Sequence, residues 1–150
     1  MDIRQLIQFV IGGIRKNIVN SGLNYMFVNS NSVFLNKKDM KDAGRYILQT
    51  DKIQELVSPM GYCIASDRIT VDGCKVGFMY REQRETPEDS GWRFLAGDET
   101  DEYLEKNMNI MMFEVNYIAN IDAAIIPYLK HKIGSEYERV EGSDSFIPYR

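Results

Sequence analysis

A single histidine, His131, serves the whole chain of 150 residues, and that scarcity removes most metal and triad chemistry at once. Zinc sites of the HExxH kind, or with two or three histidine ligands in other arrangements, each need a second histidine. A Ser-His-Asp or Cys-His triad would have to use His131, which lies between Lys130 and Lys132 in a segment that reads as exposed surface. No GxSxG nucleophile elbow accompanies it. Cysteine is nearly as scarce. Cys63 and Cys74 make no disulfide framework. With Asp72-Gly73 read as a hairpin tip, Cys63 falls near Glu82 and far from Cys74, so both are expected to be reduced thiols of a cytoplasmic protein. Neither GxGxxG nor GxxxxGK[ST] occurs, so Gly12-Gly13 opens no phosphate-cradling loop and no cofactor is expected. No run approaches the roughly 18 apolar residues of a membrane span. A signal peptide is also not expected: Asp2 and Arg4 precede the first apolar stretch, and Arg15-Lys16 stand where a small-residue cleavage site belongs. There is no internal repeat and no low-complexity run.

What is present is the composition of a folded domain, 44% hydrophobic and 27% charged. A chain of this length buries roughly 68–70% of its unfolded surface, enough for a core without staples. The net charge of −4 hides an asymmetry. Residues 1–60 carry eight Lys/Arg against five Asp/Glu, whereas residues 61–150 carry ten against seventeen. Most of the excess lies in residues 82–105, with nine acids and two arginines. Such a surface repels nucleic acid and steers a basic partner.

Periodicity divides the chain into elements. Ile3, Leu6, Ile7, Val10, Ile14 and Ile18 form one apolar stripe, which predicts an amphipathic helix over 2–20 that packs on the domain or on a second copy in a homodimer. Its polar face is poor in basic residues and it has no Trp, which argues against a membrane-surface helix. Residues 24–35 read as two short strands. Asn36 is placed to cap a helix over 37–49 whose inner face is Met40, Ala43, Tyr46 and Ile47. A short helix over 51–57 should end before Ser58-Pro59-Met60-Gly61, the expected domain boundary. Strands are then expected at 62–66 and 69–71, with Asp72-Gly73 turning the chain into a return strand over 75–81. That strand would place Val76, Phe78 and Tyr80 on one face. A strand over 91–97 would hold Trp92 as a core anchor, with Asp89, Ser90 and Arg93 near the surface. An acid-led helical turn over 98–106, a strand over 110–115, a helix over 123–129 capped by Asp122, and edge strands at 137–140 and 146–149 complete the reading.

The run Asp98-Glu99-Thr100-Asp101-Glu102 invites a metal or acid/base role, yet it lacks the alternating ligands, central glycine and terminal Glu of an EF-hand loop. Paired carboxylates for glycoside hydrolysis would also need a sugar cleft lined by aromatics. Arg81 or Arg93 reads as the partner of a nearby carboxylate rather than as a substrate clamp.

Read together, Gly61-Tyr62-Cys63-Ile64-Ala65-Ser66-Asp67-Arg68-Ile69, Gly77-Phe78-Met79-Tyr80-Arg81-Glu82, and Asp89-Ser90-Gly91-Trp92-Arg93-Phe94 with Ala96-Gly97-Asp98-Glu99 resemble one bacterial family. It is family thirty-three of the predicted immunity proteins of polymorphic toxin systems, formerly a domain of unknown function. The resemblance continues through Ile118-Ala119-Asn120, Asp122 and Ile125-Ile126-Pro127-Tyr128-Leu129 to Gly134-Ser135 and Glu138-Arg139, covering residues 61–139. Tyr117, Ile121, Ala123 and Lys130-His131-Lys132 depart from the family pattern. The resemblance implies a small α+β domain that neutralises a toxin and carries no transferable catalytic residue.

The expected fold class is therefore α+β, a mainly antiparallel sheet with flanking short helices, preceded by a helical N-terminal segment. Residues 1–57 would form that segment and 58–150 the immunity-type domain. The expected function is non-catalytic binding of a cognate toxin protein through an acidic surface of Glu88, Asp89, Asp98, Glu99, Asp101 and Glu102, anchored by whichever of Trp92 or Tyr103 is exposed. The rivals are a regulatory interaction domain unrelated to toxins and a small hydrolase built on the Asp98–Glu102 carboxylates.

Overall fold

A computed structural model describes residues 44–106 and 109–149, together with Gln5. The helix expected over 2–20 and the strands expected over 24–35 lie outside the described residues, Gln5 apart, as does most of the helix expected over 37–49. The described chain builds six strands: β1 (Tyr62–Ser66), β2 (Phe78–Arg81), β3 (Asp89–Leu95), β4 (Ile110–Glu114), β5 (Glu136–Arg139) and β6 (Phe146–Pro148). They form one sheet in the order β4-β1-β3-β2-β5-β6. Every pairing is antiparallel except β1 with β3, which run parallel at the sheet centre. Short helices flank it: α1 (Asp67–Thr70), α2 (Asp101–Glu105), α3 (Val115–Ile121) and a 3-10 helix at Ala123–Tyr128. The architecture is the α+β arrangement expected.

β1 is apolar on both sides because it lies between two other strands. Cys63 and Ala65 face the main core with Met79, Trp92, Phe94 and Phe113, under α3 and the 3-10 helix. Ile64 faces the opposite side with Phe78, Tyr80, Leu95 and Ile110, where Leu104 of α2 packs.

The hairpin expected at Asp72-Gly73 is absent. Ser66 ends β1 and its Oγ accepts the Arg68 amide at 3.2 Å, capping α1 across residues expected to be strand. The amides of Val71 and Asp72 then return to the Asp67 carbonyl and that of Cys74 to the Arg68 carbonyl, while Gly73 takes φ +78°. Asp-Gly thus closes a helical turn, a use of the left-handed residue that sequence alone does not separate from a hairpin. β1 consequently neighbours β3 and β4, and Cys63 lies opposite Phe113 rather than near Glu82. Both cysteines are free, and burial pushes the Cys63 thiol pKa far up. β2 is also shorter than expected. The Val76 amide donates to Asp122 Oδ2 at 2.9 Å, which draws Val76 out of register and into the main core, away from Phe78 and Tyr80.

Residues 46–49 are not helical. Tyr46 is buried, edge-on to Phe113 with ring centroids 5.5 Å apart, but Ile47 is exposed rather than on an inner face. The helix expected over 51–57 is reduced to a 3-10 turn at Thr50–Lys52. Beyond it, side chains of α3 replace helical hydrogen bonds: Asn116 Oδ1 accepts from the amides of Leu56 and Val57, and Asn116 Nδ2 donates to the Gln54 carbonyl. The Tyr117 hydroxyl donates to the Leu48 carbonyl at 2.8 Å. Asn116→Ala should therefore cost about 1–2 kcal/mol, since it strands the Val57 amide and takes one of two partners from the Leu56 amide, while Asn120 Nδ2 still donates to the Gln54 carbonyl. A lowered thermal midpoint with faster amide exchange confined to residues 54–57 is the expected signature.

Candidate partner-binding surface

The acid-rich stretch 82–105 does not form one face. β3 divides it, setting its two halves at opposite ends of that strand. At the Asp89 end the carboxylates turn inward around Arg93, whose side chain is only 1% exposed. Asp89 meets the guanidinium in a fork, Oδ1 on Nη1 at 3.0 Å and Oδ2 on Nη2 at 2.8 Å. Glu82 Oε1 accepts from Arg93 Nε at 2.6 Å, and the Trp92 carbonyl accepts a further Nη1 bond. Burial pushes the Asp89 carboxyl upward, but the hydrogen bonds and charge of Arg93, with the Gly91 and Glu85 amides, hold it below its ordinary value.

This arrangement corrects the expectation that Asp89, Ser90 and Arg93 lie near the surface; all three are buried. The cause is an irregularity in β3. Tyr62 pairs with Asp89 and Ile64 with Arg93, so two residues of β1 oppose four of β3. Gly91 absorbs the excess at φ +82°. Asp89 is thereby brought back onto Arg93 instead of lying a full strand away. Trp92 is a core anchor as expected, fully buried, with Nε1 donating to the Leu129 carbonyl at 3.1 Å. Neither Asp89 nor Trp92 is placed to meet a partner. Glu88 is exposed, but at this same end of β3, remote from the other acids. Of the two arginines, Arg93 makes the expected carboxylate pair, and Arg81 donates to the backbone carbonyls of Ser90, Leu129 and His131.

At the Leu95 end the acids face outward. Thr100 caps α2, its Oγ1 accepting the Tyr103 amide, and so presents Asp101 and Glu102 in the first turn, both exposed. That placement suits the positive end of a helical turn. Glu99 folds back, each carboxylate oxygen accepting one amide, from Ala96 at 2.7 Å and Gly97 at 2.8 Å. Asp98 grips Arg68 at 2.7 Å, and Arg68 also meets Asp72 at 2.9 Å. The Arg68 hydrogen bonds hold the Asp98 carboxyl below its usual range, and those of Asp98 and Asp72 push the guanidinium pKa up. Tyr103 is half-buried, and its phenol is raised by burial and by the charges of Asp67 and Asp72.

The structure thus keeps Asp98, Glu99, Asp101, Glu102 and Tyr103 together and adds Asp72 and Arg68, which the sequence reading did not include. The signal was the i,i+4 spacing of Arg68 and Asp72, legible only once that stretch is read as helix.

One cleft of about 540 Å³, lined by Lys75, Phe78, Ala96, Gly97, Arg139 and Tyr149, adjoins the backbone that Glu99 holds, and another of about 440 Å³ is lined by Leu56, Pro59, Met60, Ile126 and Leu129. Neither includes the carboxylates of residues 98–102. His131 is exposed and pairs through Nδ1 with the Tyr137 hydroxyl. Among the described residues no group of three His, Cys, Asp or Glu side chains is arranged to hold a metal, and no helix is long and apolar enough to cross a membrane.

No curated protein and no solved structure matches the chain. Residues 63–148 match the Immunity protein Imm33 domain, running nine residues past the resemblance read at 61–139 and ending with β6. That stretch is more than half of the chain, and it contains the whole sheet but for the first residue of β1; the protein belongs to the Imm33 immunity protein family.

Proposed function

We propose that the protein binds and neutralises a cognate toxin, without catalysis of its own, through the acidic surface around α2. The carrying observation is the convergence of Asp72, Asp98, Glu99, Asp101 and Glu102 at one end of the sheet, with Asp101 and Glu102 exposed on a capped turn. Arg68 is already committed to two of the five. A fixed negative field of this kind speeds encounter with a basic surface, such as the substrate cleft of a nuclease, by roughly 10- to 1,000-fold. Tyr103 stands beside it as the aromatic contact. Such an interface would bury about 1,200–2,000 Å².

Asp101 and Glu102 carry the test, because their exposed carboxylates point to solvent, whereas Asp98 and Glu99 brace Arg68 and the 96–97 backbone. Asp101→Lys with Glu102→Lys should leave the thermal midpoint nearly unchanged. Association with the cognate toxin should slow by at least about tenfold at low salt, and the difference should shrink as ionic strength rises. Stopped-flow association rates across a salt series provide the measurement. Equal rates for both proteins at every salt concentration would remove this surface from the interface.

A further inference from the structure

The larger cleft, about 540 Å³ in volume, joins an aromatic pair, bare backbone and two acids of unbalanced charge. Phe78 and Tyr149 are the pair, edge to face with ring centroids 5.0 Å apart. Phe78 is 7% exposed and Tyr149 44%, so Tyr149 is the ring offered to solvent. Gly77, Gly97 and Gly142 bring backbone to the cleft with no side chains to fill it. Glu138 stands opposite Phe78 in the β2–β5 pairing, so the two side chains leave the sheet on the same side. Glu141 follows beyond the end of β5, and both acids are exposed. The charge balance favours a cation. Lys75 and Arg139 also line the cleft, but each is already committed. Lys75 meets Asp144 at 2.7 Å. Arg139 pairs with Asp122 and, at 3.1 Å, with Asp144, and it donates to the carbonyls of Val76 and Ser143. Glu138 and Glu141 have no cationic partner among the described residues.

We propose that this cleft receives an arginine side chain of the partner protein, a reading that rests on the proposed binding of a basic surface through α2. A guanidinium stacks on an aromatic face and donates a planar fork to carboxylates. Tyr149 supplies the face, and Glu138 and Glu141 supply the carboxylates. A lysine ammonium would use the charge but not the plane. An anionic ligand, in contrast, would meet only cations already paired with Asp122 and Asp144. The position agrees. Ala96 and Gly97 line the cleft, and their amides are the pair held by Glu99, so the cleft is continuous with the acidic surface around α2. One partner surface can therefore engage both. The exposed acids of α2 act on its approach, and the seated arginine acts on how long it stays.

The blocked tripeptide Gly-Arg-Gly, titrated into the isotope-labelled full chain and followed by NMR, tests the cleft without the toxin. Saturable shifts should gather on the amides of Gly77, Gly97 and Gly142 and on the Tyr149 ring. The same peptide with citrulline, which keeps the shape and loses the charge, should bind at least about fivefold more weakly. Glu138→Gln with Glu141→Gln should weaken the arginine peptide by a similar factor, and both positions are exposed, so the fold is kept. Tyr149→Leu should weaken it too, whereas Tyr149→Phe should not. No shifts, shifts confined to α2, or equal binding of the citrulline peptide would each overturn the proposal. So would tighter binding of Gly-Lys-Gly, or of Gly-Glu-Gly, which would name an anion as the occupant. The association rates of the Asp101→Lys, Glu102→Lys protein read α2 alone, so the cleft can fail while that surface stands, and the reverse.

Discussion

Arg93→Met should destabilise the protein by about 3–5 kcal/mol, a large part of the roughly 5–15 kcal/mol that holds a domain of this kind folded. The methionine fills much of the space left by the arginine stem, so packing loss is the smaller part. The larger part is electrostatic. Asp89 is 1% exposed and loses the fork that neutralises it, and Glu82 loses its contact with Nε. A carboxylate left there must either stay charged without its counterion or take up a proton. Denaturant unfolding at pH 7 measures the loss. Adding Asp89→Asn to Arg93→Met should restore part of it, because the buried charge leaves with its partner; strict additivity of the two losses would contradict the coupling described.

The pH dependence has a definite sign. Asp89 has a folded pKa held below its unfolded value, so its contribution to stability is full above about pH 4 and is lost as the pH falls through the depressed folded value. In Arg93→Met that support is gone and burial alone acts on Asp89, so the deficit relative to the parent protein should be largest near neutral pH and shrink as the pH falls through the carboxylate range.

Gly91→Ala should match or exceed that loss. Its φ of +82° costs an L-residue roughly 1–2 kcal/mol before any contact is considered. A Cβ at Gly91 would also lie 2.3 Å from the Glu82 carbonyl oxygen, a backbone atom that cannot rotate away. Relief requires β3 to move from β2, and that movement pulls Glu82 off Arg93. A combined loss of about 4 kcal/mol or more follows. Thermal unfolding of the variant checks it, and a drop below about 2 kcal/mol would show that the irregularity in β3 relaxes more readily than its contacts imply.

These two residues show where sequence reading reached and where it stopped. Strand positions were legible for β1, β3, β4, β5 and β6, since apolar and β-branched runs between turn residues report extended backbone directly. Asp122 was legible as a cap, and its Oδ1 does accept the Ala124 amide. Gly91, in contrast, reads as an ordinary residue at the start of a strand. Nothing local reveals that two extra residues are folded there, so Asp89 and Arg93 read as surface charges. The Asp72-Gly73 turn failed for a related reason: its geometry was right, but its neighbours along the chain were helical, and only the Ser66 cap distinguishes the two uses. Of the proposed surface, the carboxylates on α2 and just before it were legible as a run, because one short turn keeps sequence neighbours together. Asp72 and Arg68 were not, because tertiary packing brings them there.

Tyr117 illustrates a third limit. It lies inside the stretch matched to the family, and its hydroxyl holds Leu48, a residue outside that stretch. A residue of the family region thus fastens chain that the family match does not cover.

The parallel pairing of β1 with β3 has a consequence for how quickly the protein becomes competent. Neither strand can complete the sheet centre until more than twenty intervening residues, β2 among them, have been arranged around it. β4 then returns to the outer side of β1, and β6, close to the end of the sequence, closes the other margin. Such non-local closure places folding towards the slow end for small domains, on the order of milliseconds to seconds. During synthesis β6 emerges after the other five strands, so a ribosome must release all of them before the sheet is complete. Only chains whose synthesis has passed β6 can therefore carry the finished sheet.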